Sequence, residues 1–566
     1  MTVQQLLPLL FLLTSLEQAA TPPAVSPVPP APSAFRISGR VIDAVTGQPL
    51  ARASVAINPT NSPNTLNIPI PPDSGRVEIT DEQGLFAFAA VPPGKYVLSA
   101  RHRGYLAQMY QQHENFMTAV VVGPGLESEN LIFGLRPGAS ISGDVFDESD
   151  DSVRHADVML FRQFLANGRR RTLQVRRANT NDEGRYHFSH LNPGTYFVGV
   201  MAQPWYAQHG ARHRVKQENQ DAGEGGFQLL IEQNQSLDVV YPIAFFSNAG
   251  DLPGATPIAL HSGDIAIADF RMRPVPAAHV LVRTPVTDSD QSTGVSVTQT
   301  VSENETIFVP AQLHQLAPGL MEVTGVPQGR FNVVLNVMNT KDGNATMHRS
   351  QKVQLENDAE VDVTRSASSI VVSGNLRIDD GSPVPQPARV RLRSSATGEV
   401  SDVTVSATGE FTFKNYPVET GNYELMIIEP QGLFIRSLNS ANAKTSGRSL
   451  EIATAQDVSV TINASKGNGR ITGVALKKDK PAAGAMIVLA PLDLKSNPAL
   501  FRRDQSDSDG TFTLNVVVPG RYTVMAIEDG WDLEWADPGV LQKYITGGET
   551  VQIAPNEKTD VSVKVQ

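Results

Sequence analysis

One signature recurs along this chain at a fixed internal spacing, and it limits the fold more than any other feature. Residues 81–96 read DEQGLFAFAAVPPGKY, 181–196 read NDEGRYHFSHLNPGTY and 507–522 read DSDGTFTLNVVVPGRY. Degenerate copies are PGLMEVTGVPQGRF at 318–331 and TGEFTFKNYPVETGNY at 408–423. Gly84 to Gly94 is 10 residues; Gly184–Gly194, Gly319–Gly329 and Gly510–Gly520 keep that spacing, and Gly409–Gly421 takes 12. Self-similarity of this kind marks repeated supersecondary units. The pattern predicts a turn, a short strand, a second turn and another strand. The first glycine supplies the positive φ of a tight turn. Phe86 and Phe88, Tyr186 and Phe188, and Phe411 and Phe413 lie two apart, so each pair faces one side of a strand. Pro93-Gly94, Pro193-Gly194 and Pro519-Gly520 are turn dipeptides.

A second signature lies upstream: ISGRVI at 37–42, ISGDVF at 141–146, VSGNL at 372–376 and ITGV at 471–474. Each opens an alternating strand. The interval from Gly143 to Gly374 has room for two units, so a cryptic third copy starts near Val275 without the S/T-G opening. Closing strands follow at Asn130–Leu135, Ile265–Met272, Ala359–Val363, Val458–Ile462 and Val561–Val565. The expected fold is all-β: five tandem seven-stranded antiparallel β-sandwiches of prealbumin/immunoglobulin type. Their limits are 35–137, 138–274, 275–367 (degenerate), 368–466 and 467–566. Junctions fall near Pro137, Pro274, Ala367 and Gly467. The second copy carries a polar, Gly/Gln-rich surface insertion at 207–237. Short linkers imply a rod-like or bent chain whose domains touch.

Composition narrows the function classes. The 566 residues contain no cysteine, which excludes disulfides, Cys-ligated zinc and thiol catalysis. A net charge of −11 argues against nucleic-acid binding. The apolar run Leu6–Leu16 is shorter than the roughly 20 residues of a membrane span and suits a secretory signal peptide. Residues 1–20 are therefore expected to direct export, and the Pro-rich stretch 21–34 to act as a spacer. Later in the chain no apolar run is long enough to span a membrane. The protein is expected in the periplasm, on the cell surface or in the medium.

The residues SGRVIDAVTGQPLARASVAI at 38–57 and TDEQGLFAFAAVPPGKYVLSARHRGY at 80–105 resemble the carboxypeptidase regulatory-like domain. That resemblance implies a transthyretin-like sandwich, related to Cna-B-type and starch-binding-like sandwiches, in an extracytoplasmic setting. Copies 2 and 5 match well, copy 4 moderately and copy 3 by glycine spacing alone. Members of the family are accessory modules without a shared catalytic residue. Some Cna-B-type sandwiches carry a Lys–Asn isopeptide bond promoted by an acid four residues after the strand-opening aromatic. The matching positions here, Ala100, Val200, Leu335, Ile427 and Ala526, are all apolar.

Candidate chemistry is sparse. None of the eleven histidines has Glu three residues later, so the zinc-peptidase pair is missing. His209 and His213 are four apart but lie in the polar insertion, which reads as a solvated loop. His187 and His190 read as strand-turn residues. Two acidic clusters, Asp147/Glu148/Asp150/Asp151 and Asp504/Asp507/Asp509, have the oxygen-rich character of calcium loops. Asp at these places is explained by turn chemistry alone. No metal or other cofactor is expected. Arg169, Arg170, Arg171, Arg176 and Arg177 make copy 2 locally basic, for an anionic partner or as a solvated hairpin.

The aromatics say more. Tyr105, Trp205 and Trp531 each stand nine residues after the P-G-x-Y tyrosine of their copies, and Trp535 falls in the same zone. Aromatics at a strand exit are either end plugs over the core or stacking platforms for sugar rings. The candidate carbohydrate site is Tyr105, Trp205, Tyr206, Tyr241, Trp531, Trp535 and Tyr544. Two functions follow: a non-catalytic envelope scaffold with protein partners, or a polysaccharide-binding protein.

Overall fold

The computed structural model describes residues 35–566 except 61–74, 167, 216–226, 230–233, 303–304, 342–344, 365–369, 396–399, 431 and 495–499. The expected signal peptide and spacer, the junction at Ala367 and most of the insertion's middle lie outside the described residues. No helix among the described residues is long and apolar enough to cross a membrane.

The repeated sequence becomes a repeated three-strand motif. In the first unit the opening strand Phe35–Asp43 pairs antiparallel with Leu85–Val91, which carries the recurrent signature, and parallel with the closing strand Leu131–Leu135. The same arrangement joins Ala139–Phe146 to Arg185–Leu191 and Ile265–Ile267. It joins Ala278–Arg283 to Leu320–Val326 and Ala359–Asp362, and Ile370–Ile378 to Glu410–Val418 and Val458–Lys466. Its last instance joins Gly469–Lys477 to Thr511–Val517 and Lys558–Lys564. A second sheet faces each motif, such as Arg76–Ile79, Ser54–Pro59 and Gly94–Arg101 in the first unit. Paired sheets with alternating inward residues enclose a core per unit, as with Ile37, Phe86, Phe88, Leu98 and Phe133 in the first. The all-β sandwich reading stands with two corrections: the first, third and fifth units have eight described strands in their two sheets and the fourth nine, instead of seven, and one pairing is not antiparallel. The closing strand runs parallel to the opening strand, because the chain crosses to the facing sheet and returns in its starting direction.

The glycines do what the spacing requires. Gly84, Gly184, Gly319, Gly409 and Gly510 all have φ between 73° and 91°. The tyrosine after each P-G turn anchors it: the hydroxyls of Tyr96, Tyr196, Tyr423 and Tyr522 donate to the carbonyl four residues back. Phe331 replaces it in the third unit.

Some outer sheet faces are covered as well. Strand Met486–Pro491 is buried at every position, which explains the unbroken apolar run in the fifth copy. Its outer face carries a second cluster with Trp531, Trp535 and Leu541. Leu541 lies on the helix Pro538–Ile545, started by Pro538 and by the Asp537 carboxylate, which accepts from the Gly539 N–H. The outer face of the second unit, with Phe161 and Phe245, packs on Val301 and Ile307 of the third. The chain also turns back on itself, and the first unit touches the fifth.

Candidate functional site

The strand-exit aromatics part company. Trp205 is open, 86% exposed, with Tyr206 edge-on at 5.7 Å. Tyr206 and Tyr241 both donate to the Glu148 carboxylate, and Tyr241 is buried. Burial and this carboxylate push the Tyr206 hydroxyl up to about 12. Tyr105 is half-buried and donates to Asp43 Oδ2 at 2.7 Å; burial and Asp43 push it up to about 12. Tyr544 is half-buried beside the Lys543 ammonium.

Trp531 and Trp535 are each 8% exposed and cannot offer a face to a sugar. Trp531 stacks on His113 of the first unit, 4.8 Å between centroids and 4° from parallel, with Phe116 at 5.6 Å. The Arg503 guanidinium lies between Phe116 and Trp535, 5.0 and 4.8 Å from their rings. Gly168 of the second unit sits so close to Trp535 that a Cβ there would be 2.6 Å from the indole. The structure thus brings Trp531 and Trp535 together, not with Trp205 or Tyr105, in a seam where the first, second and fifth units meet.

That seam is polar as well as aromatic. The Asp507 carboxylate ion-pairs with Lys95 and accepts the Ala119 N–H at 3.1 Å. Burial pushes Asp507 up, against the pull of Lys95. Gln505 Nε2 donates to the Gln111 carbonyl and to Thr118, and Arg503 pairs with Glu114. The Val121 N–H donates to Ser508 Oγ at 2.8 Å. In the first unit the matching aspartate, Asp81, accepts from its own turn, at Gln83 and Leu85. In the fifth unit Asp509 takes the Thr511 N–H, freeing Asp507 for the neighbour. Turn chemistry alone does not account for Asp507, and the sequence held no signal for its partner, Lys95.

The other candidates are engaged in structure. Asp147 accepts backbone N–H groups of Ser149 and Asp151, and Asp150 pairs with Arg271. Asp504 accepts the Thr513 N–H. Among the described residues no group of three or more His, Asp or Glu side chains is placed to hold a metal ion. Arg170 and Arg177 pair with Glu534 and Asp157, and Arg176 donates to the carbonyls of Ser189 and His190. His187 and His190 are exposed, the latter at a left-handed bulge position.

His209 and His213 overturn the solvated-loop expectation. His209 is buried and hydrogen-bonded to Asp238, and half-buried His213 is bonded to Glu322 of the third unit. The insertion's first residues are a wedge between two sandwiches. Asp238 lies 29 residues from His209 and Glu322 lies 109 from His213, and neither pairing left a local mark in the sequence.

No curated protein matches the chain. Among solved structures, the full-length major pilin RrgB of Streptococcus pneumoniae aligns over 94% of this chain and 100% of its own, at 10% identity and a TM-score of 0.17. A streptococcal ancillary pilin aligns over 51% of this chain and 99% of its own, at 13% identity and a TM-score of 0.18. The Bacillus anthracis TIE protein aligns over 94% of this chain and 75% of its own, at 11% identity and a TM-score of 0.15. Likeness at these scores carries no functional inference. Residues 36–129 match the family model of the carboxypeptidase regulatory-like domain, so the resemblance carried by the first copy's motifs extends over nearly the whole first sandwich.

Proposed function

We propose that this chain is a non-catalytic, exported scaffold of the cell envelope that works through contacts with other envelope proteins. Its domains are 35–137, 138–274, 275–367, 368–466 and 467–566, behind a signal peptide at 1–20 and a spacer at 21–34. The observation that carries the reading is the employment of the polar and aromatic side chains. Asp507, Gln505, Arg503, Trp531 and Trp535 join sandwich to sandwich, which is the work of a scaffold. Fractionation of cells expressing the full chain, followed by cross-linking in intact cells, tests it. Recovery in envelope or medium fractions, cross-linked to discrete envelope proteins, is expected. Residence in the cytosol would overturn it.

A polysaccharide-binding reading keeps one specific support, the exposed Trp205 with Tyr206 at its edge. Retention of the full chain on polysaccharide, lost in Trp205→Ala, supports that reading. Equal retention of the variant, or none by the parent chain, removes it.

A further inference from the structure

Between the second and third units lies a buried ionisable cluster that neither function uses. His279, on the opening strand Ala278–Arg283, is 1% exposed and sits between two carboxylates. Its Nε2 is 2.7 Å from Asp238 Oδ2, and its Nδ1 is 2.9 Å from Glu322 Oε1. Asp238 stands in the second unit between the turn Gln235–Leu237 and the strand Val239–Val240, and Glu322 on the third unit's strand Leu320–Val326. An ionised carboxylate only accepts, so both ring nitrogens must donate and His279 is an imidazolium. Neutral His279 would turn a lone pair toward one carboxylate where all three side chains are buried.

Every packed element adds a charged or titratable group. Arg212 pairs with Asp238 and with Asp358, whose carboxylate also accepts the backbone N–H of His279. Glu322 accepts the backbone N–H groups of Arg212 and His213, both at 3.1 Å, as well as the His213 ring. His209 Nδ1 bonds Asp238 Oδ1 at 3.1 Å, while its Nε2 is buried without a partner. The His209 carbonyl accepts from Thr324 and lies 2.9 Å from His314 Nε2. The site is built for this wedge. At the left-handed bulge that holds Ala90, His190 and Val516 in other units, the third unit has Gly325, and a Cβ there would be 3.0 Å from the His209 ring.

We propose that the junction of the second and third sandwiches is a pH-operated latch, in which the His279 imidazolium ties Asp238 to Glu322 and releases the 209–213 wedge when it loses its proton. The direction follows from linkage. Burial opposes the charge of His279, but its two carboxylate partners outweigh burial and raise it above the ordinary histidine value. A raised group lends stability that is full below about pH 6.5 and is lost as pH rises through its folded value. Burial is likewise outweighed at the carboxylates: hydrogen bonds from His279 and His213 and from backbone N–H groups hold Glu322 down to about 2, and those from His209, His279 and Arg212 hold Asp238 low. Their contribution is full above about pH 4.5 and is lost only in strong acid. The latch is therefore tightest in mildly acidic solution and opens on the alkaline side.

Hydrogen exchange of the full chain, read by mass spectrometry as protection factors, tests it. Between about pH 6 and about pH 9, protection of the Arg212 and His213 amides should fall by about tenfold or more. The core amides of the fourth unit should keep theirs. His279→Gln, which cannot titrate, should flatten the difference. Equal wild-type protection at both values, or an undiminished pH response in His279→Gln, overturns the proposal. Should that variant fail to fold, titration of the 13C-labelled His279 ring in the wild-type chain decides. A midpoint above the ordinary value supports the latch, and one at or below it refutes it.

Discussion

Gly39, Gly143, Gly374 and Gly473 show how one small residue organises a unit. A Cβ on any of them would stand 2.1 to 2.3 Å from the carbonyl oxygen of Leu131, Ala268, Val460 or Val561, on or just beyond the closing strand. Across the antiparallel pair each faces an aromatic: Phe86, Tyr186, Phe411 or Phe512. The ring covers the gap left by the absent side chain. Gly374→Ala should therefore destabilise the fourth sandwich by about 3 kcal/mol, the upper end for overpacking, because a backbone oxygen cannot move aside. Gly294→Ala, where the nearest atom lies 3.9 Å away, should stay within about 0.5 kcal/mol. Calorimetric melting of the two variants checks the contrast. The third unit shows why its signature was hard to read. Val282 stands in the glycine's place and Met321 opposite it in the aromatic's. The pair exchanged together, so the geometry persisted while the motif disappeared.

At the scale of elements, pattern was most legible where a strand has one wet face. The alternation of Phe35–Asp43 and Ala139–Phe146 maps directly onto their burial. It failed where a strand is covered twice, since Met486–Pro491 owes its second cover to a short helix and two tryptophans later in the chain. The exit aromatics were legible as a zone but not by role. An end plug and a binding face have the same composition, and only the neighbouring unit decides between them. The seam itself makes a sharp expectation. Lys95 is the partner of a carboxylate that is 2% exposed, so Lys95→Met should weaken the contact of the first and fifth units by about 3 kcal/mol. In a Trp205→Phe background, iodide quenching of the two remaining tryptophans, Trp531 and Trp535, should rise in the Lys95→Met variant; unchanged quenching would show that the ion pair does not hold the seam.

For the whole molecule, tandem repeats left a rod-like or a bent chain open, and the contacts of the first sandwich with the fifth favour a chain that returns on itself. Repeat spacing specifies what each unit is and says nothing about how distant units meet, because seam residues are chosen pairwise and lie apart in sequence. Closure is entropically mild, since each doubling of the connecting length adds only about 0.6 kcal/mol. It also has a temporal side. Ala119 meets Asp507 across a separation of 388 residues, so the first sandwich leaves the ribosome with Phe116 and His113 uncovered and keeps them so until the last is made. A chain that stops at Lys466 should fold its early sandwiches yet be cut by protease within residues 111–121, where the complete chain resists; equal resistance would disconnect the seam from that protection. The contact is in effect a mark of completed synthesis, available to any surveillance that recognises exposed apolar surface.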